Sequence, residues 1–102
     1  MLKRNRRPTS PGTILKTYYM EPRELTVTHL SKVTSLSRKH VSNIVNGKAA
    51  ISPDTAMRFA MVLDTTPEFW LNLQNAADLY DVQRKLAAWK PPEIHPAVIA
   101  AG

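Results

Sequence analysis

The sequence contains no cysteine, which excludes disulfide bonds, zinc–thiolate sites and thiolate nucleophiles. It has three glycines, and they do not form a phosphate-binding glycine loop. No apolar run is long enough to span a bilayer, and no apolar segment follows the basic N-terminus as it does in a secretory signal. These absences predict a small cytoplasmic protein with neither thiol chemistry nor a membrane partner.

Acidic residues are scarce in the first half of the chain. Residues 1–48 hold ten lysines and arginines but two acidic residues, a formal charge of +8. Residues 49–102 hold four basic and six acidic residues, a charge of −2. A surface polarised in this way favours a polyanionic partner, and nucleic acid is the usual one.

Within the basic half, residues 37–47 have the pattern of a helix with two distinct faces. Ser37 can cap it, Val41, Ile44 and Val45 form one apolar stripe, and Gly47 can end it in the left-handed conformation. No acidic side chain interrupts the opposite face, which suits the major groove of DNA, although an ordinary solvated helix has the same periodicity. We expect base-edge contacts from Arg38, Lys39, Ser42 and Asn43, and phosphate contacts from Ser37, His40, Asn46 and Lys48.

A second short helix is predicted just upstream, with Thr26 as its cap and Val27, Leu30 and Val33 as its apolar stripe. Residues 35–37 form a tight connection between the two helices. Two short helices joined in this way, the second of them basic and polar outside, form a helix-turn-helix.

The pair resembles the phage-repressor-like helix-turn-helix family. Leu30, Leu36, Val41 and Ile44 match its core positions, and residues 46–48 match its usual exit. Two positions depart from the pattern: Ser31 stands where the family usually has alanine, and Ser35 where it usually has glycine. A left-handed serine costs roughly 1–2 kcal/mol relative to glycine.

Three further helices complete an all-α, five-helix prediction, because no segment has strand periodicity. The first covers residues 12–20, with Ile14, Leu15 and Tyr18 on one face. The fourth begins with Ser52, Pro53 and Asp54, and the fifth begins at Thr66 and extends to about residue 88. The stripe expected in the core from the fourth helix is Ala56, Phe59, Ala60 and Leu63.

The predicted organisation has three parts. Residues 1–11 form a basic flexible arm, which either follows phosphates or serves as a solubilising tail. Residues 12–89 form the helix-turn-helix domain, which ends in a dimerisation helix. Residues 90–102 form a loosely ordered, proline-rich tail.

The fifth helix has a wide aromatic face. Such stripes are usually core, but a domain of this size has limited room for so many rings. We therefore expect part of the face to form a dimer interface, made of Phe69, Trp70, Leu73, Ala77 and Tyr80. On the same helix, Asp78 and Asp81 lie one turn apart, and we expect them to form a solvated face with Arg84 and Lys85.

Longer motifs narrow the resemblance. The runs Asn46-Gly47-Lys48, Ile51 to Ala56 and Thr66-Pro67-Glu68-Phe69-Trp70-Leu71-Asn72-Leu73-Gln74 resemble the HigA antitoxins, and the similarity extends over about residues 7–82. The resemblance implies a dimeric bacterial antitoxin that represses its own operon, at the nucleoid, by binding double-stranded operator DNA. It also implies a partner protein, a small HigB-like toxin that cleaves mRNA on the ribosome.

Other chemistries fit the sequence less well. His29, His40 and His95 lie on separate elements without ligand-like spacing, so neither a metal site, a cofactor nor an enzyme is expected. Two alternatives to the antitoxin stay open: a stand-alone or phage transcriptional regulator without a toxin, and a protein-interaction module that sequesters a partner. Salt-dependent DNA binding would separate the last of these from the two regulators.

Overall fold

The computed structural model describes residues 6–98. Lys3 and Arg4 of the predicted arm, and residues 99–102 of the predicted tail, lie outside the described residues. Between residues 6 and 98 the chain folds into five helices without a strand, so the all-α prediction is confirmed. Helix α1 comprises an α-helical turn, Pro11–Ile14, and a π-helical segment, Leu15–Met20; the others are α2 (Val27–Thr34), α3 (Arg38–Val45), α4 (Pro53–Leu63) and α5 (Pro67–Lys85).

Every helix begins at a hydroxyl side chain that accepts a hydrogen bond from a backbone N–H of the first turn. The distances are 3.0–3.3 Å. Each bond satisfies one of the N–H groups that a helix start leaves without a partner. This confirms the predicted starts of the last four helices; the five caps are Ser10, Thr26, Ser37, Ser52 and Thr66.

The core forms around Trp70 of α5, which is fully buried. Its ring centroid lies 5.4 Å from that of Phe59 on α4 and 5.3 Å from that of Tyr19 on α1. Its indole N–H donates to Thr65 Oγ1 at 2.7 Å, so the polar edge of the ring is satisfied. The predicted α4 stripe is buried as expected, and it packs against α5.

Helix α1 buries a different aromatic residue from the one predicted. Tyr18 is 63% exposed, whereas Tyr19 packs against the core. The π-helical segment causes the difference, because its bonds join residues five apart, as in the 2.9 Å bond from Glu21 N to Lys16 O. The wider turn rotates Tyr19 inward and Tyr18 outward.

The buried residues of helix α2 also differ from its predicted apolar stripe. Val33 is 46% exposed, and the buried positions beside Leu30 are Ser31 and Thr34. Both hydroxyls donate to main-chain carbonyl oxygens: Ser31 to Leu36, and Thr34 to Leu30 at 2.7 Å. A buried hydroxyl with such a partner avoids the cost of desolvation. The Ser31 bond also closes the turn between α2 and α3.

Ser35 ends α2 in the left-handed conformation, with φ 60° and ψ 26°. The predicted backbone of the turn is therefore confirmed at the position where the family usually has glycine.

Helix α5 ends at Lys85, three residues before the predicted end, and no helix follows between Trp89 and residue 98. Two members of its predicted dimer surface are misplaced. Trp70 and Ala77 are fully buried within the chain and have no surface to offer a partner. This part of the aromatic face belongs to the core, because Tyr19 of α1 packs against Trp70 and completes the aromatic cluster.

The two aspartates of α5 make their hydrogen bonds to residues other than Arg84 and Lys85. Asp81 is bound from outside the helix by Arg7, through bonds of 3.0 Å from Nε and 3.2 Å from Nη2. Asp78 accepts instead from the side-chain amide of Gln74, at 3.0 Å. Arg7 therefore fixes the end of the predicted arm to α5.

Candidate nucleic-acid interface

Helix α3 presents a basic, acid-free face to solvent. Arg38 and Lys39 in its first turn are exposed, and Ser42 and Asn43 are half-buried one turn later. Val41 and Ile44 on the opposite face are buried in the core. The fold thus anchors the helix by its apolar side and leaves the four predicted base-reading residues on its outer side.

Two of the predicted phosphate ligands also maintain the shape of the helix. Ser37 Oγ accepts from His40 N at 3.0 Å, which leaves its hydroxyl hydrogen available to donate to a phosphate oxygen. The amide of Asn46 donates to Ser42 Oγ at 3.3 Å, so these two side chains lie together one turn apart. Lys48, just beyond the helix, is exposed.

His40 places the first turn of α3 beside the first turn of α4. Its Nε2 lies 3.4 Å from Oγ1 of Thr55, which is buried, and the imidazole itself is half-buried. Helix N-termini carry partial positive charge, which favours a phosphate group at the acid-free first turn of α3, whereas Asp54 offsets it in the first turn of α4. His40 therefore positions this part of the interface and presents only part of its ring to a ligand.

The loop after α3 is held at both ends. The carbonyl oxygen of Asn43 accepts from the N–H of Lys48 at 2.7 Å and from that of Ala49 at 3.2 Å. Gly47 makes this possible with φ 73°, in the left-handed region where no side chain is favoured. Further on, Ile51 N donates to Gln74 Oε1 on α5 at 2.9 Å, so α5 fixes the loop that leaves α3.

Three residues that support the interface were not singled out for these roles by sequence reasoning. Gly12 lies against the end of α3, Gln74 holds the exit loop, and Arg58 donates to the carbonyl oxygen of Thr34 at 2.7 Å. All three act on main-chain atoms far away in the sequence, which side-chain periodicity does not reveal. The sequence offers a signal for Gly12 alone: a glycine close before the apolar pair Ile14 and Leu15 can indicate that another helix approaches the backbone there.

No group of three histidine, aspartate or glutamate side chains suited to a metal ion occurs between residues 6 and 98. In the same part of the chain, no helix is both long and apolar enough to cross a membrane.

Comparison with known proteins identifies the class. The sequence profile of the HTH_3 family, described as helix-turn-helix, matches residues 18–70. An uncharacterized HTH-type transcriptional regulator of Haemophilus influenzae is 44% identical over 92 residues, covering 84% of this chain and 86% of the relative. The chain belongs to the HTH_3 helix-turn-helix family.

Antitoxins are among its relatives. Antitoxin HigA-1 of Vibrio cholerae is 41% identical over 85 residues, covering 83% of this chain and 80% of that protein. The structure of antitoxin GraA in complex with its operator superposes with a TM-score of 0.81 at 32% identity, covering 97% of this chain and 100% of that one. The resemblance to HigA antitoxins seen in the sequence is therefore confirmed.

Proposed function

We propose that this protein is a bacterial, cytoplasmic antitoxin that represses its own operon by binding double-stranded operator DNA and neutralises a HigB-like toxin. One observation carries the DNA-binding part: α3 exposes Arg38 and Lys39 on a face without an acidic side chain. The similarity to an antitoxin whose structure includes its operator supports the same assignment.

On DNA, the outer face of α3 enters the major groove. Arg38 presents a guanidinium fork that matches guanine O6 and N7, and Asn43 can pair with adenine N6 and N7. Lys39 and Ser42 contact neighbouring base edges. Backbone contacts from Ser37, His40, Asn46 and Lys48 set the register of the helix, since phosphate contacts position a protein without reading sequence.

Operator recognition requires two copies. Successive major grooves on one side of a duplex are about 34 Å apart, so a two-fold dimer places one α3 in each. The exposed apolar residues at the C-terminal end of α5 are Leu79, Val82 and, directly after the helix, Leu86, at 59%, 47% and 49% exposure. Their spacing of three and four puts them on one side of the helix. The dimer therefore forms through these residues, with contributions from the half-buried Phe69, Leu73 and Tyr80.

Toxin neutralisation rests on the resemblance to HigA and on the distribution of charge. The second half of the chain carries a formal charge of −2 and the first half +8. Asp54, Asp64, Glu68 and Asp78 are exposed on α4, α5 and the connection between them. A basic partner can bind there while α3 stays available for DNA.

The experiment is co-expression with the small reading frame adjacent to the gene. Its product should be toxic alone, and the antitoxin should co-purify with it and restore growth. Arg38→Ala should abolish operator repression and still restore growth, because it changes the DNA face alone. An adjacent product that is harmless, or that does not co-purify, contradicts the antitoxin assignment.

One alternative function has specific support, because the relative from Haemophilus influenzae is named only as a transcriptional regulator. A stand-alone regulator would bind its operator as tightly as an antitoxin does and would have no toxin partner. Operator binding without rescue of growth would favour it.

A further inference from the structure

The outward side of α4 carries apolar side chains that the rest of the chain does not cover. Met57, Met61 and Val62 are 51%, 80% and 37% exposed, while the opposite side of the helix is buried in the core. We call these three residues the α4 methionine face. Methionine is flexible and polarizable, and protein surfaces that bind partners are rich in it.

The charges that surround the α4 methionine face are mainly acidic. Asp54 lies one turn before Met57, and Asp64 ends the helix one turn after Met61; both are exposed. The single basic side chain of α4, Arg58, is already bound, by Asp54 at 2.9 Å and by the carbonyl oxygen of Thr34 at 2.7 Å. Asp54 and Arg58 offset each other, so Asp64 gives the margin of this apolar face its net negative charge.

This pattern differs from the apolar row on α5. There the flanking residues Asp78 and Lys85 have opposite signs, which suits a two-fold contact between identical helices. Two α4 methionine faces brought together would add a second Asp64 and no basic side chain to balance it, which disfavours a second copy. The same acidic margin repels DNA.

We propose that the α4 methionine face is the docking surface for a basic protein with an apolar patch at the centre of its own interface. The inference rests on the proposed function, in which that partner is the toxin. A few side chains buried at the centre of a complex carry most of its binding energy. Met61, the most exposed of the three in the free protein, has the most surface to bury and is therefore the position to change.

The test titrates the purified product of the adjacent reading frame into the antitoxin by calorimetry. Met61→Lys places a positive charge against a basic partner and should weaken binding about tenfold or more. Ile94→Lys adds the same charge at a residue that is 75% exposed elsewhere, and Met61→Leu keeps the apolar surface; both should bind as the wild type does. Operator affinity and dimer mass should be unchanged in all three variants.

The outcomes separate this inference from the proposed function. If Met61→Lys binds the toxin as tightly as Ile94→Lys does, the docking surface is wrong and the antitoxin assignment stands. A Met61→Lys protein that becomes monomeric would assign the face to the dimer and overturn the inference. Failure of the wild-type protein to bind the toxin would overturn both.

Discussion

Gly12 of α1 lies directly against the main-chain carbonyl of Ile44 at the end of α3. A Cβ at position 12 would be 2.0 Å from the Ile44 oxygen and 2.9 Å from the Val45 oxygen. Because both obstacles are backbone atoms, a side chain at this position cannot be accommodated without moving one helix away from the other. Helix α3 is thus supported from behind by a contact that only glycine permits.

Gly12→Ala should therefore destabilise the domain by about 3 kcal/mol, the upper end of the usual range for overpacking in a core. Gly47→Ala is the matched control: it has φ 73° but no atom within 4 Å of the added Cβ, so its cost should be about 1 kcal/mol. Thermal melts at equal protein concentration measure both, and each kcal/mol corresponds to roughly 4–8 °C in a domain of this size. Equal losses in the two variants would contradict the close contact at Gly12.

Ser35→Gly should raise stability by about 1 kcal/mol. Ser35 has φ 60° and ψ 26°, where a Cβ is unfavourable, and glycine removes that strain. Ser35→Ala retains the Cβ and should melt close to the wild type. Melting temperatures of both variants below that of the wild type would show that the serine hydroxyl, and not the backbone, determines the turn.

The sequence predicted those parts of the fold that depend on local patterns. The caps at Thr26, Ser37, Ser52 and Thr66, the left-handed turn at Ser35 and the buried stripe of α4 are each encoded within a few residues. The outer face of α3 was predictable for the same reason, because one helical period separates its polar residues from its apolar ones.

Some of the errors arise from contacts between distant segments, whereas the exchange of Tyr18 for Tyr19 and the burial of Ser31 and Thr34 arise from local hydrogen bonds. Val33 is exposed while Ser31 and Thr34 are buried, because hydroxyls bonded to carbonyl oxygens can replace an apolar stripe. Sequence periodicity wrongly predicts Trp70 in a dimer interface, because nothing in its own helix shows that Tyr19 covers its ring. The pairing of Arg7 with Asp81 spans 74 positions, beyond the reach of any periodicity argument.

DNA specificity should depend on the outer face of α3. Arg38→Ala and Asn43→Ala should each cost roughly 1–3 kcal/mol on the cognate operator and little on random DNA, since base contacts are lost. Lys48→Ala is the control, because loss of a phosphate contact weakens binding to both sequences alike. Gel shifts on cognate and scrambled duplexes distinguish the two patterns. Equal losses on both duplexes for Arg38→Ala would remove it from base reading.

The contact between Arg7 and Asp81 should make stability depend on pH at the acid end. The hydrogen bonds from Arg7 lower the pKa of the Asp81 carboxyl from its ordinary value, and the charge of Arg7 acts in the same direction. A carboxyl with a lowered folded-state pKa stabilises the fold above its unfolded pKa of about 3.9, and this contribution is lost as pH falls through the folded value. The melting temperatures of wild type and Asp81→Asn should thus differ by a constant amount from pH 7 to about 5 and converge below about 4.

A double-mutant cycle checks that the pH effect belongs to this pair. Arg7→Ala should show the same pH profile as Asp81→Asn, and the double variant should lose little more than either single one, because both remove one interaction. Additive losses at pH 7 would mean that Arg7 and Asp81 act independently.

The last prediction concerns the dimer, where the structure changes the residues to be tested. Val82→Lys, at a site 47% exposed on α5, should convert the protein to a monomer because it places a charge in the apolar contact. The variant should keep its fold, lose tight binding to a two-half-site operator and retain weak binding to one half-site. Val98→Lys, at a residue 97% exposed beyond α5, adds the same charge and should stay dimeric.

Trp70→Ala should instead lose about 3–5 kcal/mol of folding free energy, because it leaves a cavity in the core. Sedimentation at micromolar concentration, paired with thermal melts, separates a lost dimer from a lost fold. A Val82→Lys protein that remains dimeric would place the two-fold contact on another surface.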